Sequence, residues 1–235
     1  MKIATWNIER LKHDQSLEKI IAACECVNAD ILVLTESDDR IRLNYRHCYH
    51  TPTPPDLRLP AYERPLHYRA SEHRVSIFTN YRVIRQLRTY DEHTALCLEL
   101  DTSEGALVVY GTIIGVLGNR RSSYENDIIH QSADWKRLTA DGHSLCVCGD
   151  LNCSFADNYY YTKSGRAMLR QSFQECSMRI LTESAEQTID HIVISDHMVQ
   201  NSNVQLSEWN QDMSLSDHKG ICAICTPSNE RGYRL

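Results

Sequence analysis

Acidic and amide side chains follow or precede apolar segments at five separate places in this sequence. They are Asn7 with Glu9, Glu36, Asp150 with Asn152, Asp190, and Asp217 with His218. If those segments lie side by side as strands, their oxygen-bearing ends can gather at one point. Clustered carboxylates are unfavourable unless a positive charge lies among them. A hard divalent cation such as Mg²⁺ or Mn²⁺ is the simplest such charge, so the pattern predicts a metal site.

Strands are the main elements that must position these residues. Apolar and alternating segments predict them at 2–7, 31–36, 74–79, 95–100, 106–114, 144–149, 191–195, 204–209 and 220–225. Helical spacing predicts helices at 16–27, 122–138 and 164–176, the last with Ser164 as a candidate N-cap. Because helices do not alternate strictly with strands, a mixed sheet or two packed sheets with outer helices are expected. No segment reads as a linker, so residues 1–235 are interpreted as one domain.

The composition is that of a globular enzyme. Of 235 residues, 42% are hydrophobic and 24% are charged, which favours a folded over a disordered chain. The net charge of -6 argues weakly against nonspecific binding to nucleic acid, although local patches and a bound metal matter more. No apolar run approaches the roughly 20 residues that span a bilayer, and the N-terminus has no apolar signal core. We therefore expect a cytoplasmic monomer without a membrane partner.

The cysteines, ten in number, are interpreted as reduced core thiols. Cys146 and Cys148 alternate in a predicted strand and so share one of its faces. Cys222 and Cys225 form a CxxC pair, but it lies inside a predicted strand and no second pair accompanies it. This arrangement disfavours a structural zinc site.

The segment 40–74 is strongly basic. It contains seven arginines against three acids, together with tyrosines, histidines and prolines that indicate irregular backbone. Because it follows Glu36 closely, it can contact substrate phosphates or stack on bases, with Arg40, Arg42 and Arg46 as the first candidates. A solvated excursion with extended arginine side chains explains the same composition equally well.

Five short motifs together carry a family resemblance. They are Thr-Trp-Asn-Ile-Glu at 5–9, Leu-Thr-Glu at 34–36, Cys-Gly-Asp-Leu-Asn at 148–152, Thr-Ile-Asp-His-Ile at 188–192 and Ser-Asp-His at 216–218. In this order and spacing the sequence resembles the endonuclease/exonuclease/phosphatase superfamily, with enzymes such as deoxyribonuclease I and exonuclease III. The resemblance implies an α/β fold, a four-layer α/β sandwich in which two mixed β-sheets pack face to face with helices outside.

The resemblance also implies a hydrolase that depends on Mg²⁺ or Mn²⁺, and the residue types fit the ligand roles. Glu36 is a direct oxygen ligand, and Asp217 would complete the metal shell. Asn7 and Glu9 are two residues apart, so on one strand they would share a face and reach the ion directly or through water. Similar enzymes often have Asp where this chain has Glu9.

The remaining motif residues fit roles in hydrolysis. Asp150 would orient and deprotonate a water for in-line attack on phosphorus, while the amide of Asn152 would hold the scissile phosphate. His218 would donate a hydrogen bond or a proton to the developing pentacovalent phosphate. Asp190 would fix the tautomer of His218. By contrast, His191 is expected to serve packing.

Departures from the family pattern limit the assignment of a substrate. Thr112, or Tyr110 in a shifted register, stands where many members have a phosphate-contacting His or Tyr. The segment 186–188 lacks the Trp of abasic-site endonucleases, so that activity ranks below a generic nuclease. Arg120 and Arg121 are candidate phosphate clamps, or the solvated start of a helix.

The preferred interpretation is a divalent-metal-dependent hydrolase that cleaves phosphodiester bonds, a nuclease acting on nucleic acid by in-line attack of water. One alternative is a phosphatase or phosphodiesterase for a small phosphoester. The other is a catalytically silent binding module of the same fold. The completeness of the polar set in the five motifs argues against the silent module.

Overall fold

The structure is a computed structural model that describes residues 1–56, 67–115 and 122–228. The strands of the described residues are β1 (Lys2–Asn7), β2 (Ile31–Asp38), β3 (His47–His50), β4 (Glu72–Thr79), β5 (Arg82–Leu87), β6 (Ala95–Thr102), β7 (Gly105–Ile113), β8 (Leu145–Asp150), β9 (Met178–Ile180), β10 (Asp190–Ser195), β11 (Ser202–Trp209) and β12 (Gly220–Pro227). The helices of the same residues are α1 (Leu17–Val27), α2 (Ser122–Ala140) and α3 (Lys163–Glu175).

The strands form two six-stranded mixed sheets. The first has the order β11-β12-β1-β2-β4-β3 and the second the order β5-β6-β7-β8-β10-β9. Apolar residues from both sheets, such as Val33, Val75, Val109 and Ile192, form one buried cluster between them. Two further clusters bury apolar residues of α1 against the first sheet and of α2 and α3 against the second. The predicted four-layer sandwich is therefore confirmed.

A parallel strand pair lies at the centre of each sheet. β1 runs parallel to β2, and β7 runs parallel to β8, while the other strand pairs are antiparallel. Parallel neighbours have their carboxyl ends at the same end of a sheet. The antiparallel neighbour β10 begins at that end, because its first residue, Asp190, pairs with Asp150 at the end of β8. The topology thus collects polar residues from distant parts of the sequence.

Three strands were not predicted from the sequence: β3, β5 and β9. All three lie at sheet edges. An edge strand is paired on one side only and carries polar residues on exposed positions, so it lacks the apolar pattern of a buried strand. β5, with the sequence Arg-Val-Ile-Arg-Gln-Leu, shows this clearly, since most of its residues are exposed.

The predicted N-cap of α3 was wrong by two residues. Thr162, not Ser164, precedes the helix, and its Oγ1 accepts a hydrogen bond from the backbone N–H of Gly165 at 3.1 Å. Ser164 lies inside the first turn, and its hydroxyl donates to Glu125 at 2.5 Å instead. Both residue types suit an N-cap, so composition alone did not separate them. Within the described residues, no helix combines the length and apolar character needed to cross a membrane.

Candidate active site

Asp150 is the last residue of β8 and lies in a cluster of polar side chains with Asn7, Asn152, Asp190 and His218. It is 2% exposed. Its Oδ2 accepts a hydrogen bond from Asn7 Nδ2 at 3.0 Å, and its Oδ1 accepts one from the backbone N–H of Asn152 at 2.8 Å. Burial and then the nearby Asp190 raise the pKa of Asp150 to about 7, with His218 offsetting part of the rise. A carboxyl group with that pKa can accept a proton near neutral pH.

His218 is held by Asp190. Its Nδ1 lies 2.6 Å from Oδ2 of Asp190, which is fully buried at the start of β10. Burial would lower the pKa of His218, but the Asp190 carboxylate opposes burial and raises the pKa to about 10. The imidazole is therefore cationic at neutral pH, with Nδ1 bonded to Asp190 and Nε2 available as a donor. Nε2 lies 3.7 Å from Oδ1 of Asp217.

Asp150, Asp190 and His218 lie close together, although a cationic His218 offers no lone pair to a metal ion. One ligand atom from each residue lies within 4.8 Å of the others. The second carboxylate oxygen of Asp190, Oδ1, is buried without a hydrogen-bond partner in the described residues. Such an oxygen is costly unless a cation or a donor approaches it. This trio differs from the ligand set predicted from the sequence, which was Asn7, Glu9, Glu36 and Asp217.

Glu36 offers a carboxylate that the protein itself leaves unused. It lies in β2 with a left-handed backbone (φ 46°) and is partly buried. In the described part of the chain, no hydrogen bond or ion pair occupies its carboxylate. Burial raises the pKa of Glu36, and Arg74 and then His218 offset part of that effect. A free carboxylate with a desolvated charge fits the predicted role of metal ligand.

The argument that Asn7 and Glu9 share a strand face was wrong. β1 ends at Asn7, and Glu9 begins a short 3₁₀ turn with φ 51°. The turn still brings them together, because Asn7 Oδ1 accepts the backbone N–H of Glu9 at 2.8 Å. Lys12 Nζ donates to Glu9 at 2.6 Å, and the backbone N–H of Asp217 lies 3.4 Å from its Oε2. Asn7 and Glu9 are thus held by protein partners, whereas the Asp217 side chain is 63% exposed.

Three residues of the site have a left-handed backbone although none is glycine. They are Glu9, Glu36 and Asn152, with φ of 51°, 46° and 49°. Such backbone costs on the order of 1 kcal/mol or more per residue and is concentrated at functional sites. The sequence contains no sign of it, because strand propensity describes extended residues only.

Three of the predicted substrate-binding arginines, Arg40, Arg42 and Arg46, form no hydrogen bond or ion pair with this cluster among the described residues. Arg40 forms a two-pronged ion pair with Asp38, with both N–O distances at 2.9 Å. Arg42 is exposed. Arg46 precedes β3, whose first residue pairs with Thr79, and Thr79 pairs with Ile31 at the start of β2. Arg46 therefore lies at the end of the sheet opposite to Glu36.

The predicted phosphate contact on β7 is not formed by Thr112 or by Tyr110 in this structure. Thr112 is fully buried, and its hydroxyl donates to Gln131 Oε1 at 2.6 Å, so it does not face the site. The alternative, Tyr110, is also buried and donates to Asp134 at 3.0 Å. Arg120 and Arg121 lie outside the described residues. The segment 57–66 of the basic loop lies outside them as well.

The structure adds residues that the sequence reasoning missed. A cavity of about 250 Å³ lies beside the cluster and is lined by Asn152, Tyr159, Tyr160, Gln187, Thr188, Ile189, Asp190, Asp217, His218 and Lys219. The run of three tyrosines at 159–161, which begins seven residues after the last residue of the Asp-Leu-Asn motif, was the available signal. Arg10 and Lys12 also lie close enough to act on the charge of Glu36. Neither belongs to a motif.

Glu36→Gln should weaken metal binding and leave the metal-free protein equally or more stable. Folding raises the pKa of Glu36, so its charged form opposes folding, and this cost grows as the pH rises above the ordinary value of a carboxyl group. Thermal unfolding at neutral pH, with EDTA and with millimolar Mg²⁺, measures both effects. Mg²⁺ should raise the Tm of the wild type more than that of the variant. Equal responses would contradict the role of Glu36.

His191 was predicted to serve packing, and the structure places it fully buried. Its two ring nitrogens bond to Thr182 Oγ1 at 2.9 Å and to the carbonyl oxygen of Cys153 at 2.8 Å. Burial lowers the pKa of His191 to about 4. Its contribution to stability is therefore complete above about pH 6.5 and declines by about 3 kcal/mol as the pH falls toward 4.

An NMR titration of the imidazole resonances tests this expectation. In the folded protein His191 should titrate near pH 4, and in urea it should titrate near the ordinary value of about 6.5. A midpoint near 6.5 in the folded protein would show that the ring is solvated rather than packed.

The comparisons with known proteins agree with this geometry. The model of the endonuclease/exonuclease/phosphatase family matches residues 4–218. The comparison with curated proteins gave no match. Among solved structures, a 3'-5' exonuclease from Neisseria meningitidis is similar, with a TM-score of 0.69, 16% identity, and coverage of 96% of this chain and 99% of that one.

Two other solved structures have the same fold. An endonuclease/exonuclease/phosphatase from Beutenbergia cavernae has a TM-score of 0.68 and 15% identity, covering 97% of this chain and 72% of that one. TDP2 from Caenorhabditis elegans has a TM-score of 0.65 and 14% identity, covering 96% of this chain and 74% of that one. At these identities the structures support the fold, while the family match rests on the sequence.

Proposed function

The chain belongs to the endonuclease/exonuclease/phosphatase family, and on that premise we propose that it is a divalent-metal-dependent phosphodiesterase that hydrolyses nucleic acid by in-line attack of water. The observation that carries the proposal is the arrangement of Asp150, Asp190 and His218. A carboxyl group with a pKa near 7 lies beside a cationic imidazole that a second carboxylate orients. This combination supplies a base for water and a donor for the phosphate in one place.

The base in this scheme is Asp150. Its carboxylate is fixed by Asn7 and by the backbone of Asn152, so it needs little reorganisation to accept a proton from water. Asn152 has its side-chain amide donating to the carbonyl oxygen of Ile114 at 2.8 Å. The same amide donates a longer bond to Oδ2 of Asp150 at 3.4 Å, so the two bonds orient it beside the base, and a phosphate oxygen would take the place of Asp150 as the second acceptor.

The donor in this scheme is His218. As phosphorus becomes five-coordinate, negative charge accumulates on its oxygens, and the Nε2–H of a cationic imidazole stabilises that charge. Asp190 keeps Nδ1 occupied, so the remaining proton points toward the substrate. The exposed Asp217 lies next to the same edge of the ring.

The residues present fit a hard divalent cation, for which we propose Mg²⁺ or Mn²⁺. The unused carboxylate of Glu36 and the unpartnered Oδ1 of Asp190 are oxygen donors without protein partners among the described residues. We propose Glu36 and Asp217 as its ligands, with Asn7 and Glu9 arranging the ligand shell. When bound, such an ion neutralises negative charge on the phosphate oxygens.

Nucleic acid is the proposed substrate class. The family match supports it, and one structure of similar fold was solved as a 3' phosphatase bound to a product DNA hairpin. A small phosphoester is a second candidate, favoured by the net charge of -6 and by the position of Arg46 far from the site. The two candidates differ in how KM depends on salt, since each contact to a nucleic-acid phosphate releases counterions.

A substrate panel tests the proposal. Single- and double-stranded DNA, RNA, abasic DNA and a generic phosphodiester are each incubated with the protein and Mg²⁺ or Mn²⁺. The Asp150→Asn variant, purified in parallel, controls for contaminating nucleases. We expect turnover of at least one polynucleotide by the wild type only, with a KM that rises with salt. Equal background from both proteins on every substrate would refute the proposal.

A further inference from the structure

Arg74 lies beside Glu36 at the candidate active site. In the register of β2 and β4, Thr35 pairs with Val75 and Ser37 pairs with His73, so Arg74 is the residue that faces Glu36 across the strand pair. Arg74 is 3% exposed. Arg74 lies inside β4 and is followed by the buried Val75, so the strand fixes the position of its Cα atom.

The guanidinium of Arg74 has few partners for a buried charge. Its Nη2 donates to the hydroxyl oxygen of Tyr68 at 2.5 Å, and its Cζ lies 5.0 Å from the centre of the Tyr68 ring. In the described part of the chain, no carboxylate lies within 4.0 Å of it. An arginine has five N–H donors, and a buried guanidinium normally has a carboxylate or phosphate as its partner.

Arg10 provides a direct comparison, because it lies over the same tyrosine ring at 4.4 Å. Its guanidinium forms an ion pair with Glu72 at 2.7 Å. Glu72 also forms an ion pair with Arg69 at 3.4 Å, so its negative charge is shared by two arginines. The protein therefore neutralises Arg10 with a carboxylate of its own and leaves Arg74 without one.

The charge of Arg74 acts on two carboxyl groups near the site. It partly offsets the rise that burial causes in the pKa of Glu36 and in that of Asp127. Asp127 accepts the backbone N–H of Gly115 at 3.0 Å, and the preceding residue, Ile114, binds the side chain of Asn152. Arg74 thus lies near enough to act on the charge of Glu36 and on that of Asp127, which holds the loop next to Asn152. A divalent cation on Glu36 would cancel the nearest negative charge and leave Arg74 in need of an anion.

We infer that Arg74 is an anion-binding residue of the active site, whose guanidinium receives non-bridging oxygens of a substrate phosphate beside Glu36. The inference rests on the proposed function for the identity of the anion. It assigns a substrate contact to a strand residue outside the five motifs. It makes Arg74, in place of Arg40, Arg42 and Arg46, the source of positive charge for the substrate.

Inorganic phosphate is the probe, because its binding does not depend on turnover. The dissociation constant for phosphate is measured from thermal shifts in Mg²⁺ at constant ionic strength, for the wild type, Arg74→Gln, Arg74→Lys and Arg46→Gln. Loss of a charge-assisted hydrogen bond should weaken binding about 10- to 100-fold in Arg74→Gln. Arg74→Lys keeps the charge but loses the planar fork, so it should be intermediate.

The control, Arg46→Gln, removes one positive charge as Arg74→Gln does, but Arg46 is exposed and lies at the opposite end of the sheet. It should bind phosphate like the wild type. Unchanged phosphate binding in Arg74→Gln would overturn the inference. So would an Arg74→Gln protein that has lost its thermal response to Mg²⁺ as well, because Arg74 would then act only by balancing Glu36.

Two further measurements complete the test. For a phosphodiester that the wild type hydrolyses, Arg74→Gln should raise KM, and an unchanged KM would count against the contact. If neither variant folds, the Arg74 Nε–H resonance of the wild type must shift on titration with phosphate, and a fixed resonance would refute the inference. Failure of the substrate panel would refute the proposed function alone, since phosphate binding is measured without turnover.

Discussion

Asp150→Asn should lower turnover by about 10² or more while leaving the fold intact. Removal of a general base typically costs about that factor. The substitution changes almost no volume, and the Asn oxygen can still accept the backbone N–H of Asn152. In metal-free protein the change also removes a carboxyl group whose pKa burial raises to about 7. We therefore expect equal or higher thermal stability at pH values above 7.

Steady-state kinetics on the best substrate of the panel measure this effect. Asp101→Asn serves as the matched control, because it removes a carboxylate that is half exposed and paired with Arg82 at the edge of the second sheet. Its turnover should equal that of the wild type. Wild-type turnover in Asp150→Asn, with a folded protein by circular dichroism, would show that another group accepts the proton.

Removal of divalent cations should abolish hydrolysis. Ligand atoms of Asp150 and Asp190 lie within 4.8 Å of each other, and without a cation these carboxylates and that of Glu36 would repel a negatively charged phosphate. Activity should fall to background in EDTA and return on addition of Mg²⁺ or Mn²⁺. Zn²⁺ at equal concentration should restore less, because the donors are carboxylate and amide oxygens rather than thiolates.

Exhaustive dialysis against EDTA, followed by assay in metal-free buffer, gives the measurement. The Tm of the same samples is the control for unfolding, since a loss of activity with a constant Tm and recovery on re-addition identifies a requirement of the site. Full activity in EDTA after dialysis would exclude a metal-dependent mechanism.

The fold was predictable from sequence because its core strands are buried on both faces. Strands such as β2 and β8 read as continuous apolar segments, and their polar last residues marked the edge where the site forms. Three of the four edge strands, β3, β5 and β9, were not predicted, since one side of each is unpaired and carries polar residues, whereas the edge strand β11 was predicted from its alternating pattern. The hydrogen bond between Asp190 and His218 could be anticipated as a pairing of residue types, although its length of 2.6 Å required coordinates.

Placement of the positive charges was not predictable from composition. The arginines at 40–46 follow Glu36 in sequence, yet the chain turns and reaches the opposite end of the sheet within ten residues at Arg46. Arg74, at the end of the same basic segment, returns in β4 to face Glu36. Sequence distance from Glu36 did not point to Arg74, because an antiparallel strand pair brings this later residue back beside Glu36.

The contact between β1 and the segment before β12 has a consequence for synthesis of the protein. Trp6 Nε1 donates to the carbonyl oxygen of His218 at 2.9 Å, 212 positions away, and the Ser216 hydroxyl donates to the carbonyl oxygen of Asn7 at 2.7 Å. A ribosome-bound chain that ends before residue 216 can form neither of these contacts and also lacks His218 itself. If His218 is the donor that the proposed function assigns to it, a partly made chain should be inactive until synthesis passes this residue.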